Sequence, residues 1–367
     1  MRILKHELRK LIRFPLMWGL LSIFITFDIY LIFTEVGYQD YQNDLQGVYD
    51  VITGYKTQGE YYEFYFQYKE NYSDIYDGLD MQDMKQMKED LANYYPTGSY
   101  KKFIDGNYDK LQKRVEQIKS EGNDSGDFYP GDVFQIHQKL YAVLKCCIVE
   151  MLIIMCFSVL YLMDFERVNR TEDLVFANQT GRRNMRIKLR TGLLGGVGFC
   201  VVILAVNLII FFALVPMKGL WNTPVSSYMV MESSGLWEYP FITFVRLTIW
   251  QELALNIMTE LLLVLLFGVI AGAVQFFINN SYITMLCMGA GFIGLLWLTY
   301  TVQVADWIKT AVCLNPAVLW LMCGRWFIEN DISLSFAWSE FLTLGAWGVM
   351  YSLISMIGWK LFNGKDM

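Results

Sequence analysis

Apolar residues in this chain gather into six long runs, at 16–34, 140–163, 191–215, 251–277, 282–304 and 341–362, with polar stretches between them. A helix needs about 20 consecutive, mainly apolar residues to cross roughly 30 Å of hydrocarbon. Each run is long and continuous enough to do so, which makes a buried helix of a soluble core the poorer reading. The pattern predicts an all-α polytopic membrane protein with six transmembrane helices. A basic start gives the first run the look of a secretory leader. No small-residue cleavage site follows it before Phe33-Thr34-Glu35-Val36, so it is expected to remain as a span.

The polar stretches differ in kind. In 1–15, Leu4, Leu8, Leu11 and Ile12 repeat at helical spacing, while Lys5, Arg9 and Arg13 form a basic stripe. A helix lying in the membrane surface fits this better than a frayed charged terminus, and Pro15 ends it. The 35–139 insert reads as mostly helical, with amphipathic helices at 81–94 and 108–119 around a Pro96-Thr97-Gly98 turn and an irregular part at 59–80. It is dense in tyrosine, from Tyr38 and Tyr41 through Tyr72 and Tyr76. Such residues either fill a thin core or line a ligand face. The 305–340 stretch is apolar but broken at Pro316 and Gly324, as expected of short re-entrant helices. Glycines at 192, 195 and 196, and the Gly268/Gly272 pair, predict close helix approach within the spans.

Charge sets the expected orientation. The N-terminal segment and the 164–190 segment hold most of the Lys and Arg found near the spans, whereas 216–250 has only Lys218 and Arg246, and 305–340 only Lys309 and Arg325. The positive-inside rule then places both termini and 164–190 in the cytoplasm, and the insert outside a plasma membrane. The insert's acidic residues largely account for the net charge of −6. At 54% apolar residues and a mean hydropathy of +0.31, the chain sits outside the soluble range.

Little in the sequence points to catalysis. No phosphate-gripping Gly-x-x-x-x-Gly-Lys-Ser/Thr loop occurs, and His6 and His137 are the only histidines. Neither a His-based metal site nor a Ser-His-Asp triad is available, so no enzyme and no nucleic-acid partner is expected. Of seven cysteines, Cys313 and Cys323 share the 305–340 stretch and are candidates for pairing. Asp28, Lys145, Glu150 and Glu260 lie within apolar runs, where a bare charge costs several kcal/mol. They either line a substrate path or serve as structural pairs and snorkelling groups.

The segment joining the second and third spans, Glu166-Arg167-Val168-Asn169-Arg170-Thr171-Glu172-Asp173-Leu174-Val175-Phe176, then Gly181-Arg182 and Lys188, follows this topology in a distinctive way. With the amphipathic His6-Glu7-Leu8-Arg9-Lys10-Leu11 before six spans, a large insertion after the first span and Leu314-Asn315-Pro316 before the last, the chain resembles the membrane subunit of an ABC-2 type transporter, of ABCG-like fold. The loose family pattern falls on Glu166, Thr171, Leu174-Val175, Thr180-Gly181-Arg182 and Lys188. Arg170 stands where the family usually has glycine.

The resemblance implies an elbow helix at 1–15 and a coupling segment at 164–190 that rests on a separate ATP-binding cassette ATPase subunit. It also implies a second permease subunit, identical or related, with ATP and Mg held by the partner and no cofactor on this chain. The cargo implied is hydrophobic or amphipathic: a peptide such as an antimicrobial peptide, a lipid or a drug. The residues themselves also suit docking. Thr171 is placed to cap a short helix with Glu172 and Asp173 in its first turn, Leu174, Val175 and Phe176 offer an apolar contact, and Gly181 can end the helix. An ordinary positive-inside loop explains the arginines but not that patch. A membrane sensor or resistance protein whose tyrosine-rich insert binds a peptide without transport remains the alternative.

Overall fold

The computed structural model describes residues 2–63, 66, 76, 79–122, 136–176, 184–217, 221–225, 242–304, 306–329 and 331–364. In chain order, α1 (Arg2–Ile12) leads into α2 (Pro15–Val36), and the insert contributes α3 (Gln39–Ile52), α4 (Met81–Ala92) and α5 (Gly98–Gly122). There follow α6 (Ile136–Val168), α7 (Glu172–Phe176), α8 (Met185–Leu214), α9 (Ile249–Ile278), α10 (Ser281–Thr301), α11 (Trp307–Cys313), α12 (Pro316–Leu321) and α13 (Ser339–Gly364). Six of these, α2, α6, α8, α9, α10 and α13, are long and apolar enough to cross a membrane. The protein is therefore an all-α polytopic membrane protein, as its apolar runs predict. The end of the bundle that carries α1 and α7 is the base, and the end that carries the insert, α11 and α12 is the top.

The axis of the bundle is α6. Its 33 residues extend about 50 Å at 1.5 Å per residue, well past the thickness of hydrocarbon. The apolar run at 140–163 marks only its middle, because the helix continues through polar turns containing His137 and Lys139 at the top and Asp164, Glu166 and Arg167 at the base. It packs on α2, α8 and α9, and all three contacts are close. A Cβ on Gly192 of α8 would lie 2.8 Å from the Val159 Cα and 3.1 Å from the Ser158 carbonyl oxygen. Met155 of α6 lies against Gly196 of α8 and Gly268 of α9, its sulfur 2.7 Å and 2.9 Å from where their Cβ atoms would be. One flexible side chain thus fills the space two glycines leave.

The α9–α10 connection is a tight asparagine pair. Asn279 closes α9 in the left-handed region at φ 54, and the Asn280 side chain accepts from the Tyr282 and Ile283 backbone N–H groups to cap α10. These residue types are the ones that tolerate the two roles. Most of α10 is bare: Tyr282, Leu286, Ile293 and Trp297 face outward, and Thr284 is its one buried residue.

The insert is helical, with boundaries that depart from those expected. The first expected helix ends at Ala92 because Asn93 takes φ 49 and closes it. The second begins at Gly98 rather than 108, since Tyr100, Ile104 and Tyr108 continue one buried stripe beneath the lysines at 101 and 102. Helix α3 is an addition, built on Tyr41, Leu45, Val48 and Tyr49 packed toward the spans. Tyr76, Tyr94, Tyr100 and Tyr108 are buried and fill the core of the insert, while the buried Tyr41 and Tyr49 join the core of the spans. Tyr55 is exposed, while Tyr65, Tyr68 and Tyr72 lie outside the described residues.

The insert is pinned to the top of the spans through hydroxyls and one carboxylate. The Tyr94 and Tyr100 hydroxyls lie 2.9 Å apart, and Tyr100 reaches Thr310 of α11 at 2.9 Å. Burial pushes both phenols up from their ordinary pKa, which keeps them as donors. Tyr108 donates to Glu329 at 2.8 Å, and Lys88 pairs with the same carboxylate. Beneath them, the Asn315 side chain caps α12, and its amide donates to Thr299 of α10 at 3.0 Å. Cys313 and Cys323 are both free and buried, correcting the suggested pairing; Ser333 Oγ lies 3.4 Å from the Cys313 sulfur instead.

The packing leads to a test on two glycines of one helix. Gly192→Ala should cost about 1–3 kcal/mol, because backbone atoms block its Cβ and cannot swing aside. Gly198→Ala, with nothing within 4 Å, should leave the thermal midpoint in detergent unchanged or raised.

Candidate functional site

At the base, α6 runs out of the bundle as Asp164-Phe165-Glu166-Arg167-Val168 and turns into α7 within three residues. Arg170 makes the turn at φ 54, a left-handed conformation that favours glycine. Thr171 does something other than the expected capping: its hydroxyl donates back to the Glu166 carbonyl at 3.3 Å, and its own carbonyl accepts from the Val175 N–H at 3.1 Å. Arg167 stitches the two helices together, 3.9 Å from Asp164 and 3.5 Å from Glu172. On α7, Val175 packs against the main core while Leu174 is 82% exposed. The side chains of Asp173 and Phe176, and residues 177–183 with Gly181 and Arg182, lie outside the described part.

Four charged groups meet behind this segment. Glu166 pairs with Lys188 at the start of α8, and both are nearly sealed from solvent. Lys10 of α1 lies 3.5 Å from Glu166 and 2.8 Å from Glu7, with its ammonium 4.3 Å over the Phe165 ring. Two acids and two bases cancel, which a buried site requires if it is to hold ions at all. Apolar contacts bring α1 to the same place. Leu11 is fully buried against Gly195 of α8, and Phe14 stacks on Tyr161 of α6 with centroids 4.0 Å apart. Leu8 and Leu11 of the expected apolar stripe thus pack on α8, whereas Ile12 is exposed, and Lys5, Arg9 and Arg13 face outward. Helix α10 joins as well: the Ser281 N–H donates to Asp164 at 3.4 Å. Sequence reasoning picked out Glu166 and Lys188 but missed Glu7 and Lys10 as their companions, whose only signal was their place on the elbow helix.

The ionisable groups of the spans are brought together only in part. Asp28 does not reach the bundle surface. It is fully buried, accepts from the Asn207 amide, and faces the Glu150 carboxyl with Cys147 beside it, 3.8 Å from sulfur to carboxylate. Lys145 turns away to the Leu321 carbonyl at 3.0 Å, with its ammonium 5.3 Å from the Trp320 ring centroid. Glu260 is fully buried, and neither of its oxygens has a hydrogen-bond partner among the described residues. Asn207, Glu252, Asn256 and Tyr141 were missed. The Tyr141 hydroxyl donates to Glu252 at 2.5 Å, and the Asn256 amide donates to the same carboxylate. Polar residues within apolar runs were the available signal for them. Separately, a cavity of about 370 Å³ lies between α6, α9, α10 and α12, and its walls, among them Leu152, Phe267, Met288, Phe292 and Trp320, are apolar.

No family model, no curated protein and no solved structure matches this chain. The chemistry of the base is thus read from its own residues. Among the described residues, no group of three or more His, Cys, Asp and Glu is arranged to hold a metal ion.

Two substitutions probe this geometry. Lys188→Met strands the buried Glu166 charge and should destabilise by about 3–5 kcal/mol, whereas Lys188→Met with Glu166→Leu leaves the Glu7–Lys10 pair balanced and should recover most of that loss in a thermal melt. Arg170→Gly should raise stability by about 1 kcal/mol by relieving the left-handed turn, and Arg170→Val should lower it.

Proposed function

We propose that this chain is the membrane-spanning permease subunit of an ATP-binding cassette exporter. A second permease subunit, identical or related, completes the path, and separate ATPase subunits that bind ATP and Mg dock at the base on the cytoplasmic face of the plasma membrane. One observation carries the reading. A short helix, α7, offers Leu174 to solvent while ion pairs fasten its root to α1, α6 and α8. A loop that merely joined two spans would have no use for such anchorage.

The arrangement suits transmission of force. A push on Leu174 acts on α7, which Arg167 and Glu172 lock to α6. The Glu166–Lys188 pair passes the load to α8, so the second and third spans tilt as one unit with the elbow helix. Cargo meets a largely apolar interior, with the 370 Å³ groove beside α10 and the Asp28–Glu150 pair on the other side of α6. A hydrophobic or amphipathic peptide, lipid or drug fits such walls.

The test has two parts. Replacing Leu174, Val175 and Phe176 together with alanine should abolish co-purification of an ATP-binding cassette ATPase from native membranes and reduce transport at least ten-fold, with the chain still folded. Leu174→Cys should resist a membrane-impermeant maleimide in intact cells and react once the cells are opened. Labelling from outside, or intact ATPase association in the triple variant, would overturn the reading.

A further inference from the structure

A second cavity, of about 340 Å³, lies at the top, where the end of α10 meets α11, α12 and the turn at Ile332–Leu334. Small-ligand sites begin at about this size. Its walls are mixed: Leu296 and Leu334 are apolar, Tyr94 and Tyr300 are aromatic, and Lys309 and Asp331 bring one charge of each sign.

Lys309 is only 8% exposed, yet no carboxylate among the described residues pairs with it. Its ammonium donates to the Thr299 and Val302 carbonyls, at 2.8 and 3.0 Å, where α10 ends. Those bonds fix the position of the ammonium and leave its third N–H unused. The carbonyl dipoles answer only part of the charge, and a buried cation without a counter-ion is costly. Asp331 is exposed. One of its oxygens accepts from the Ser333 N–H at 2.9 Å and from the Ser333 hydroxyl, so the other stays open. Both charges act on Cys313 in the same wall.

The place of the cavity bears on its occupant. Helix α10 runs 21 residues from Ser281 at the base, about 30 Å, so its far end lies level with lipid headgroups. Trp297, Tyr300 and Trp307 are exposed around that end, and these residue types favour the membrane surface. Leu296 and Tyr300 line the cavity and belong to the barest span, so a lipid lying along α10 reaches it.

We propose that this cavity binds a headgroup carrying both a phosphate and an amine. The phosphate takes the unused N–H of Lys309, and the ammonium meets the open oxygen of Asp331 beside the Tyr300 ring. An anion alone would face Asp331 and a cation alone would face Lys309, so a ligand with both charges is the match. Two sources share this chemistry, a phospholipid of the leaflet at the top and a soluble phosphate ester such as glycerophosphoethanolamine. The bare α10 favours the lipid. The site uses neither the base nor the apolar groove beside α6, and it stands apart from the coupling reading.

Mass spectrometry of the intact full chain released from detergent, without any ATPase, tests it. Dioleoyl phosphatidylethanolamine should bind about ten-fold tighter than dioleoyl phosphatidylglycerol, which has the phosphate but no amine. Lys309→Gln, which keeps a donor for the α10 carbonyls, should weaken both lipids about ten-fold. Asp331→Asn keeps the oxygen that the Ser333 N–H needs, and it should erase the preference for the amine while sparing phosphatidylglycerol. Leu296→Trp fills the cavity from α10 without touching either charge and should weaken both lipids. Glycerophosphoethanolamine that competes at the concentration of the lipid assigns the site to soluble esters, and failure to compete assigns it to lipid. Equal binding of the two lipids by the unsubstituted chain, an amine preference that survives Asp331→Asn, or unchanged binding in either Lys309→Gln or Leu296→Trp would overturn the proposal.

Discussion

Hydrocarbon can neither donate nor accept a hydrogen bond, and it tolerates charge poorly, so polar groups taken into the bundle have to be answered by another part of the protein, and among the acids described in the spans Glu260 stands out for having no such answer. That constraint shapes the surroundings of α6. Asp28 is answered by Asn207 from α8, Glu252 by Tyr141 from α6, Lys145 by a backbone carbonyl of α12, and Glu166 by Lys188. Each pairing joins two different helices and fixes their rotation about their own axes. Apolar contact alone would leave that rotation loose, because lipid tails are as apolar as leucine.

Glycine makes these pairings reachable. Gly192, Gly196 and Gly268 let α8 and α9 come close to α6, so that both short pairs such as Asp28 with Asn207 and longer ones stay within the bundle. The two ends of the bundle are then closed by different chemistry. The base relies on a neutral set of four charges sheltered by Phe14, Tyr161 and Phe165. The top relies on phenol hydroxyls and the Glu329 carboxylate, which fasten the insert to α11 and the turns before α13. A base held by buried charge pairs resists bending, as the proposed transmission from α7 to α6 and α8 requires.

The six spans, the amphipathic start and the helical nature of the insert were readable one residue after another, because hydrocarbon thickness and helical period act on local sequence. Partnerships were not. That Arg170 sits in a glycine-favouring turn, that Thr171 bonds backward, and that Cys313 and Cys323 stay apart depend on how the chain leaves each helix. Glu7 and Lys10 looked like members of a surface helix until α1 folded onto α8 and brought them to Glu166, 156 residues away along the chain from Lys10.

The sequence by itself determined that this protein crosses a membrane six times as helices, since burying about 20 apolar residues in lipid needs no other segment. Which acids lie together inside and which side chain of α7 is offered outward were decided by the tertiary structure alone. Those features arise when distant helices exclude water from one another, and no stretch of sequence contains that event.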